Sequence, residues 1–283
     1  MSNVDEMITL VPRAPKQDGG DFSGFDLKGV SLNGASFVYA TLIGTVMDDS
    51  ELREVDFSQA SLGKTSFKNA KIKDLNFTGA TLEESNFEGA TLMDCNFKNA
   101  DLSNSDFSQT KISNCDFQGA NLGHASFYSA TIDDTNMGFA RMMYVFMKQV
   151  IINKSRLGGI NARGSDLSFS KMTEVDLKGS ILKYADLNSC TFKDVNLTNS
   201  NLIGVELKDA QCAGIIWEEA NLEGSDLTYA NLEGSNLKNA FLLEANLHGT
   251  NFTNANLADA YLVDANIAKA ITKGANLENT ILA

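Results

Sequence analysis

The phase of this chain never slips. From Gly20 onward every fifth residue is large and apolar and the residue two before it is small, for 53 consecutive units. The large positions run Phe22, Leu27, Leu32, Phe37, Leu42, Met47 and on to Leu277 and Leu282, and only Ala162, Cys212 and Thr272 depart from Leu, Phe, Ile, Met or Trp. The small positions are Gly, Ala, Ser, Thr, Cys or Val except at Phe25, Leu75, Ile160 and Ile215. A period of five fits neither an amphipathic helix nor a half-buried strand, which repeat near 3.6 and 2. A short fixed period over a whole chain marks a solenoid, in which each unit buries its apolar side by stacking on the next. None of the 59 charged residues takes an inward position, as a dry interior requires.

Units such as Ala80-Thr81-Leu82-Glu83-Glu84, Ala90-Thr91-Leu92-Met93-Asp94, Ala220-Asn221-Leu222-Glu223-Gly224 and Ala230-Asn231-Leu232-Glu233-Gly234 resemble the A-(D/N)-L-x-x motif of pentapeptide-repeat proteins. The resemblance covers residues 20–283. It implies an all-β fold, a right-handed quadrilateral parallel β-helix with one pentapeptide per side and twenty residues per coil, hence about 13 coils. At about 4.8 Å between paired strands such a rod is about 63 Å long. Between Leu52 and Phe127 the central residue alternates Leu or Ile with Phe. On four sides this puts Phe on one opposite pair and Leu or Ile on the other, with each column uniform as close packing prefers. From Leu157 onward Leu dominates.

The expected organisation is a leader or N-terminal cap over 1–19, holding Pro12, Pro15 and the apolar Met7, Ile8, Leu10 and Val11, then one β-helix over 20–283. No run of 18 apolar residues is present to span a membrane, and the start lacks the regions of a signal peptide. The expected location is the cytoplasm, with delivery by a specialised secretion system as an alternative. Cys95, Cys115, Cys190 and Cys212 fall at inward positions as apolar fillers, Cys95 and Cys115 one coil apart.

Catalytic chemistry is not expected. His124 and His248 are far apart and outward, too few for a His-based triad or a His-rich metal site, and no phosphate-binding glycine loop is present. Paired carboxylates such as Asp48-Asp49, Glu83-Glu84, Asp133-Asp134 and Glu218-Glu219 sit at unit corners and read as solvated turns. No cofactor or metal is expected.

Function is therefore expected on the outer surface. With 23 basic and 36 acidic residues the net charge is −13, which argues against direct nucleic-acid binding. Three surfaces stand out. Phe241, Tyr261 and Ile281 line one outward column, with Leu243, Val263 and Ala283 beside it, and this apolar patch is expected to form a homodimer through the C-terminal coils. Phe139, Met143, Tyr144, Phe146 and Ile151 turn outward where the repeat code weakens around Ile160 and Ala162, either covering a kink or binding a partner. Asp94, Asp116 and Asp134 represent an acidic surface. The expected function is a non-enzymatic protein-interaction scaffold, with a secreted bacterial effector as one form. The resemblance also implies an alternative, an acidic DNA mimic that binds DNA gyrase or topoisomerase IV and modulates it or protects it from quinolones. Lysines such as Lys68, Lys71, Lys73 and Lys98 interrupt the acidic field, and the net charge is sparser than that of duplex DNA.

Overall fold

The computed structural model describes residues 16–282, so the expected leader lies, over residues 1–15, outside the described residues, as does Ala283. The chain divides into two compact units, Met1–Arg141 and Met142–Ala283. Each is a parallel β-solenoid with a twenty-residue register. The first unit carries strands β1 (Ser31–Asn33), β2 (Glu51–Arg53), β3 (Lys71–Lys73), β4 (Thr91–Met93), β5 (Lys111–Ser113) and β6 (Thr131–Asp133). They pair in parallel, Leu52 on Leu32, Ile72 on Leu52, and so on to Ile132 on Ile112. The second carries β7 (Ile151–Asn153), β8 (Lys171–Thr173) and β9 (Thr191–Lys193), paired likewise. Four pentapeptides complete each turn within a unit. We call the sides A to D in chain order, so that Leu202, Leu207, Cys212 and Trp217 are central on sides A, B, C and D of one turn; the strands lie on side C.

Backbone hydrogen bonding explains the repeat motif. In Asp56-Phe57-Ser58-Gln59-Ala60, the Asp56 N–H donates to Ala35 of the preceding coil at 2.9 Å, while the Phe57 and Gln59 N–H groups donate to Asn76 and Thr78 of the following coil at 2.8 and 3.0 Å. Ala60 N–H closes the turn on the Phe57 carbonyl at 3.0 Å. That leaves Ser58, whose N–H finds the Asp56 carboxylate at 2.8 Å. An Asp or Asn before the central residue thus satisfies the one amide the backbone leaves over. Asp226, Leu227, Thr228, Tyr229 and Ala230 repeat the same set in the second unit. The corner residue of each unit is left-handed, at φ of 54° in Asn99 and 69° in Gly119, which is why Gly, Asn and Asp recur there.

Three-residue strands extend over about eight turns, fewer than the 13 coils expected from the count of units. The corner after side C supplies the reason. Along the strands it is occupied mostly by larger residues, Val55, Leu75, Cys95, Cys115, Val175 and Val195, and no turn bond to the central carbonyl forms at these positions among the described residues. Where Ser235 and Ala255 stand there, the turn closes on Leu232 and Phe252 at 3.1 and 2.9 Å, and the strand contracts to single bridges such as Asn231 to Asn251. The twenty-residue register continues through them.

The core matches the alternation in sequence. In the first unit Phe57, Phe77, Phe97 and Phe117 stack on side D at 5.4, 4.7 and 4.6 Å. Phe67, Phe87, Phe107 and Phe127 stack opposite, on side B, at 4.8 Å each. The two columns meet edge to face across the interior, as between Phe67 and Phe77 at 6.1 Å and 82°. In the second unit, leucines fill the centre. Ile160 and Ala162 exchange the usual order of large and small, both are buried, and the register holds, with Ala162 N–H on the Ile181 carbonyl at 2.7 Å. Trp217 is fully buried near Cys212 and Ile215, and its Nε1 has no hydrogen-bond partner among the described residues.

Candidate protein-interaction face

The interior offers little chemistry. All four cysteines are buried free thiols. Cys95 and Cys115 stand one coil apart, their Sγ atoms 3.2 and 3.3 Å from the Met93 and Ser113 carbonyls. Its hydrogen bond with Cys95, followed by burial, pushes the Cys115 thiol up, and burial pushes Cys190 up to about 12 and Cys212 well above its ordinary value. Cys115, Cys190 and Cys212 therefore stay neutral, and all four cysteines pack as buried fillers. Among the described residues no group of three His, Cys, Asp or Glu could hold a metal ion, and no helix is long and apolar enough to cross a membrane.

Charges on much of the surface are already engaged. Lys68 meets Glu88 at 2.7 Å and Lys71 meets Glu51 at 2.8 Å, and these contacts hold the Lys68 ammonium pKa up and the Glu51 carboxyl down. Lys208 lies between Asp226 and Glu206 at 3.4 and 3.7 Å. Asp116 lies on side D, pairs with Lys98 at 3.0 Å and accepts the Asn136 amide at 3.1 Å. Asp94 and Asp134 share the side C corner two coils apart, in line with Glu54 and Asp74, and Asp94 accepts from the Asn114 amide.

Apolar side chains are distributed unevenly. Phe139, in the first unit, occupies a left-handed corner after side D and is 69% exposed. In the second unit Met143 and Tyr144 lie on side A, Phe146 on side B and Ile151 on side C, all exposed, so those four residues project from three sides. Phe241, Leu243, Tyr261, Val263 and Ile281 lie on side A as well. Phe241 and Tyr261 stack at 5.1 Å and 8°, and Leu243 and Val263 are half-buried beside them. Between these groups side A adds Ile181, Tyr184 and Ile203, which sequence reading passed over. Reading every twenty-residue column to its end would have found them.

Tyrosines on this side are held in place. Tyr144 and Tyr184 occupy corners at φ 57°, a strained conformation for a bulky residue. Each ring lies over a glycine of the next coil: a Cβ on Gly164 would come within 2.6 Å of Tyr144, and one on Gly204 equally close to Tyr184. The Arg163 guanidinium stands 5.6 Å from the Tyr184 ring centre. Tyr184 is nevertheless 57% exposed, with its outer face toward solvent. Side A of the second unit is thus a line of rigid aromatic and aliphatic groups, from the coil of Met143 to that of Val263, about 29 Å by coil spacing. Interfaces favour such groups.

Comparison with known proteins agrees with the repeat. No curated protein matches the chain. Among solved structures it is similar to QnrB1, a plasmid-mediated fluoroquinolone resistance protein, at 19% identity over 75% of this chain and 92% of that one, with a TM-score of 0.35. It is similar also to HetL, a pentapeptide repeat protein involved in heterocyst differentiation regulation from the cyanobacterium Nostoc sp. strain PCC 7120, at 22% identity over 99% of this chain and 98% of that one, with a TM-score of 0.24. A pentapeptide repeat protein from the Arabidopsis thaliana thylakoid lumen is 31% identical over 40% of this chain and 72% of its own length, with a TM-score of 0.16. The family model described as pentapeptide repeats matches residues 71–111, 110–149, 170–209, 206–242 and 245–283, and that described as a pentapeptide repeat region matches 18–87. With most of its length matched by these models, the chain belongs to the pentapeptide-repeat family.

Proposed function

We propose that the protein is a non-enzymatic scaffold that binds a protein partner through side A of its second unit. One observation carries this reading: exposed apolar groups, scattered elsewhere, recur along that side from Met143 to Ile281. Exposed apolar groups gathered on one side in this way point to an interaction site. The interior thiols are no ready nucleophiles: all four cysteines are buried, and burial pushes Cys190 and Cys212 up.

A DNA-mimicking regulator of gyrase is the second reading. The side C corner of the first unit favours it, where Glu54, Asp74, Asp94 and Asp134 stand in one column. Against it, Lys73 lies 3.9 Å from Asp74, and the paired lysines above interleave with the acidic groups. One experiment separates the two readings. A photo-crosslinking residue is placed at position 184 or at position 74, and adducts are collected from native extract. The scaffold reading expects a discrete protein adduct from position 184, lost on Ile203→Asp. Adducts from position 74 alone would reverse the ranking.

A further inference from the structure

Charge on side A is segregated. Toward its N-terminal end this side of the second unit carries Arg163 and Lys183, and toward its C-terminal end Glu223, Glu244 and Asp264. None of the five has an ion-pair partner among the described residues, whereas Lys208, on side B, is paired with Glu206 and Asp226. Moreover, the two groups lie at matching distances from one coil, that of Ile203. Lys183 is one coil before it and Glu223 one coil after, in the same column. Arg163 is two coils before it, and two coils after stands Leu243 with Glu244 at its shoulder.

We propose that side A of the second unit is a two-fold interface on which a second copy of this chain docks antiparallel, centred on Ile203. This rests on the reading of side A as the binding surface and names its occupant. A two-fold axis along the strand direction keeps each column facing itself and reverses the order of coils, so the same patch serves both copies. Ile203 then meets Ile203 on the axis, and Lys183 of each copy meets Glu223 of the other. Arg163 reaches Glu244, and Met143 meets Val263. The Tyr184 ring, which lies over Gly204 in the coil on the axis, comes opposite the Tyr184 ring of the other copy. Apolar groups thus meet on the axis and at Met143 with Val263, and opposite charges meet at the coils between them.

The parallel alternative fails on charge, because it sets the coil of Lys183 against itself and that of Glu223 against itself. A patch about 29 Å long and one side wide buries roughly 400–500 Å² per copy, at the low end of specific interfaces, so association should be reversible and weak.

Sedimentation velocity of the full chain over a concentration series, up to roughly 0.5 mM, tests the proposal. The wild-type protein is expected to shift from monomer to dimer. K183E and E223K each set like charges together twice and should each lose at least roughly 100-fold in self-association. Mixed one to one, these two variants present opposite charges at both contacts and should form a heterodimer, and the K183E/E223K double variant should dimerise again. The proposal is overturned if the single variants dimerise as the wild type does, if the mixture and the double variant stay monomeric, or if the wild type stays monomeric throughout. A monomeric wild type whose position 184 still crosslinks to another protein would remove self-docking and leave the scaffold; loss of both would remove the scaffold reading as well.

Discussion

Phe97→Ala should destabilise the first unit by about 3–5 kcal/mol, as large-to-small changes at fully buried aromatic sites do. Phe97 touches four rings. It stacks on Phe77 and Phe117 at 4.7 and 4.6 Å, and meets Phe87 and Phe107 edge to face at 6.0 and 6.4 Å. Removing it breaks both columns, and the surrounding rings cannot close the gap because each is fixed by its own coil. Equilibrium denaturation followed by near-ultraviolet circular dichroism measures the loss. Met should recover part of it by filling volume without a ring. A change below about 1 kcal/mol would mean that the columns relax far more freely than their spacing indicates.

Deleting fewer residues should do more harm than deleting more. Removal of residues 76–95, one whole coil, leaves Phe97 above Phe57 and every column intact, so the cost is that of one repeat, about 2 kcal/mol. Removal of residues 76–80 keeps the five-residue phase but turns every later residue by one side. Leu82 then falls on Phe57, Phe87 on Leu62, Leu92 on Phe67 and Phe97 on Ile72. Mismatched volumes at one such layer should cost roughly 3–6 kcal/mol in total. The two deletions are compared by the midpoint of denaturant unfolding, and equal midpoints would show that column identity carries no energy. Such a result would leave only the small-large alternation as the determinant of the fold.

Much of this architecture is legible in the residues because the code is local and strictly periodic. The inward positions, the opposed Phe columns and the corner glycines each follow from spacing alone once four sides are granted. Strand extent was not legible, because it depends on whether the corner after side C closes its turn, as Ser235 does and Val55 does not. Surface grouping was legible only in part. Neighbours along the chain, such as Tyr144 and Phe146, project from different sides, whereas Tyr144 and Tyr184, forty residues apart, share one. Adjacency on a solenoid follows the twenty-residue column, and a patch read along the sequence mixes sides. The placement of the Tyr184 ring on Gly204 carries a sequence signal too, an aromatic corner followed twenty residues later by glycine, repeated at Tyr144 with Gly164 and Tyr229 with Gly249.

Hydroxyl-radical footprinting by mass spectrometry tests most directly whether side A of the second unit is the working surface. Exposed methionines and aromatic residues, the most reactive side chains, occur on several sides and so report on each. Comparing dilute with concentrated protein, and with protein in native extract, the account expects protection at Met143, Tyr144, Tyr184, Phe241 and Tyr261. Tyr39, Met93 and Tyr229, exposed on other sides, should oxidise at unchanged rates. Protection at those residues, with side A still fully reactive, would contradict it.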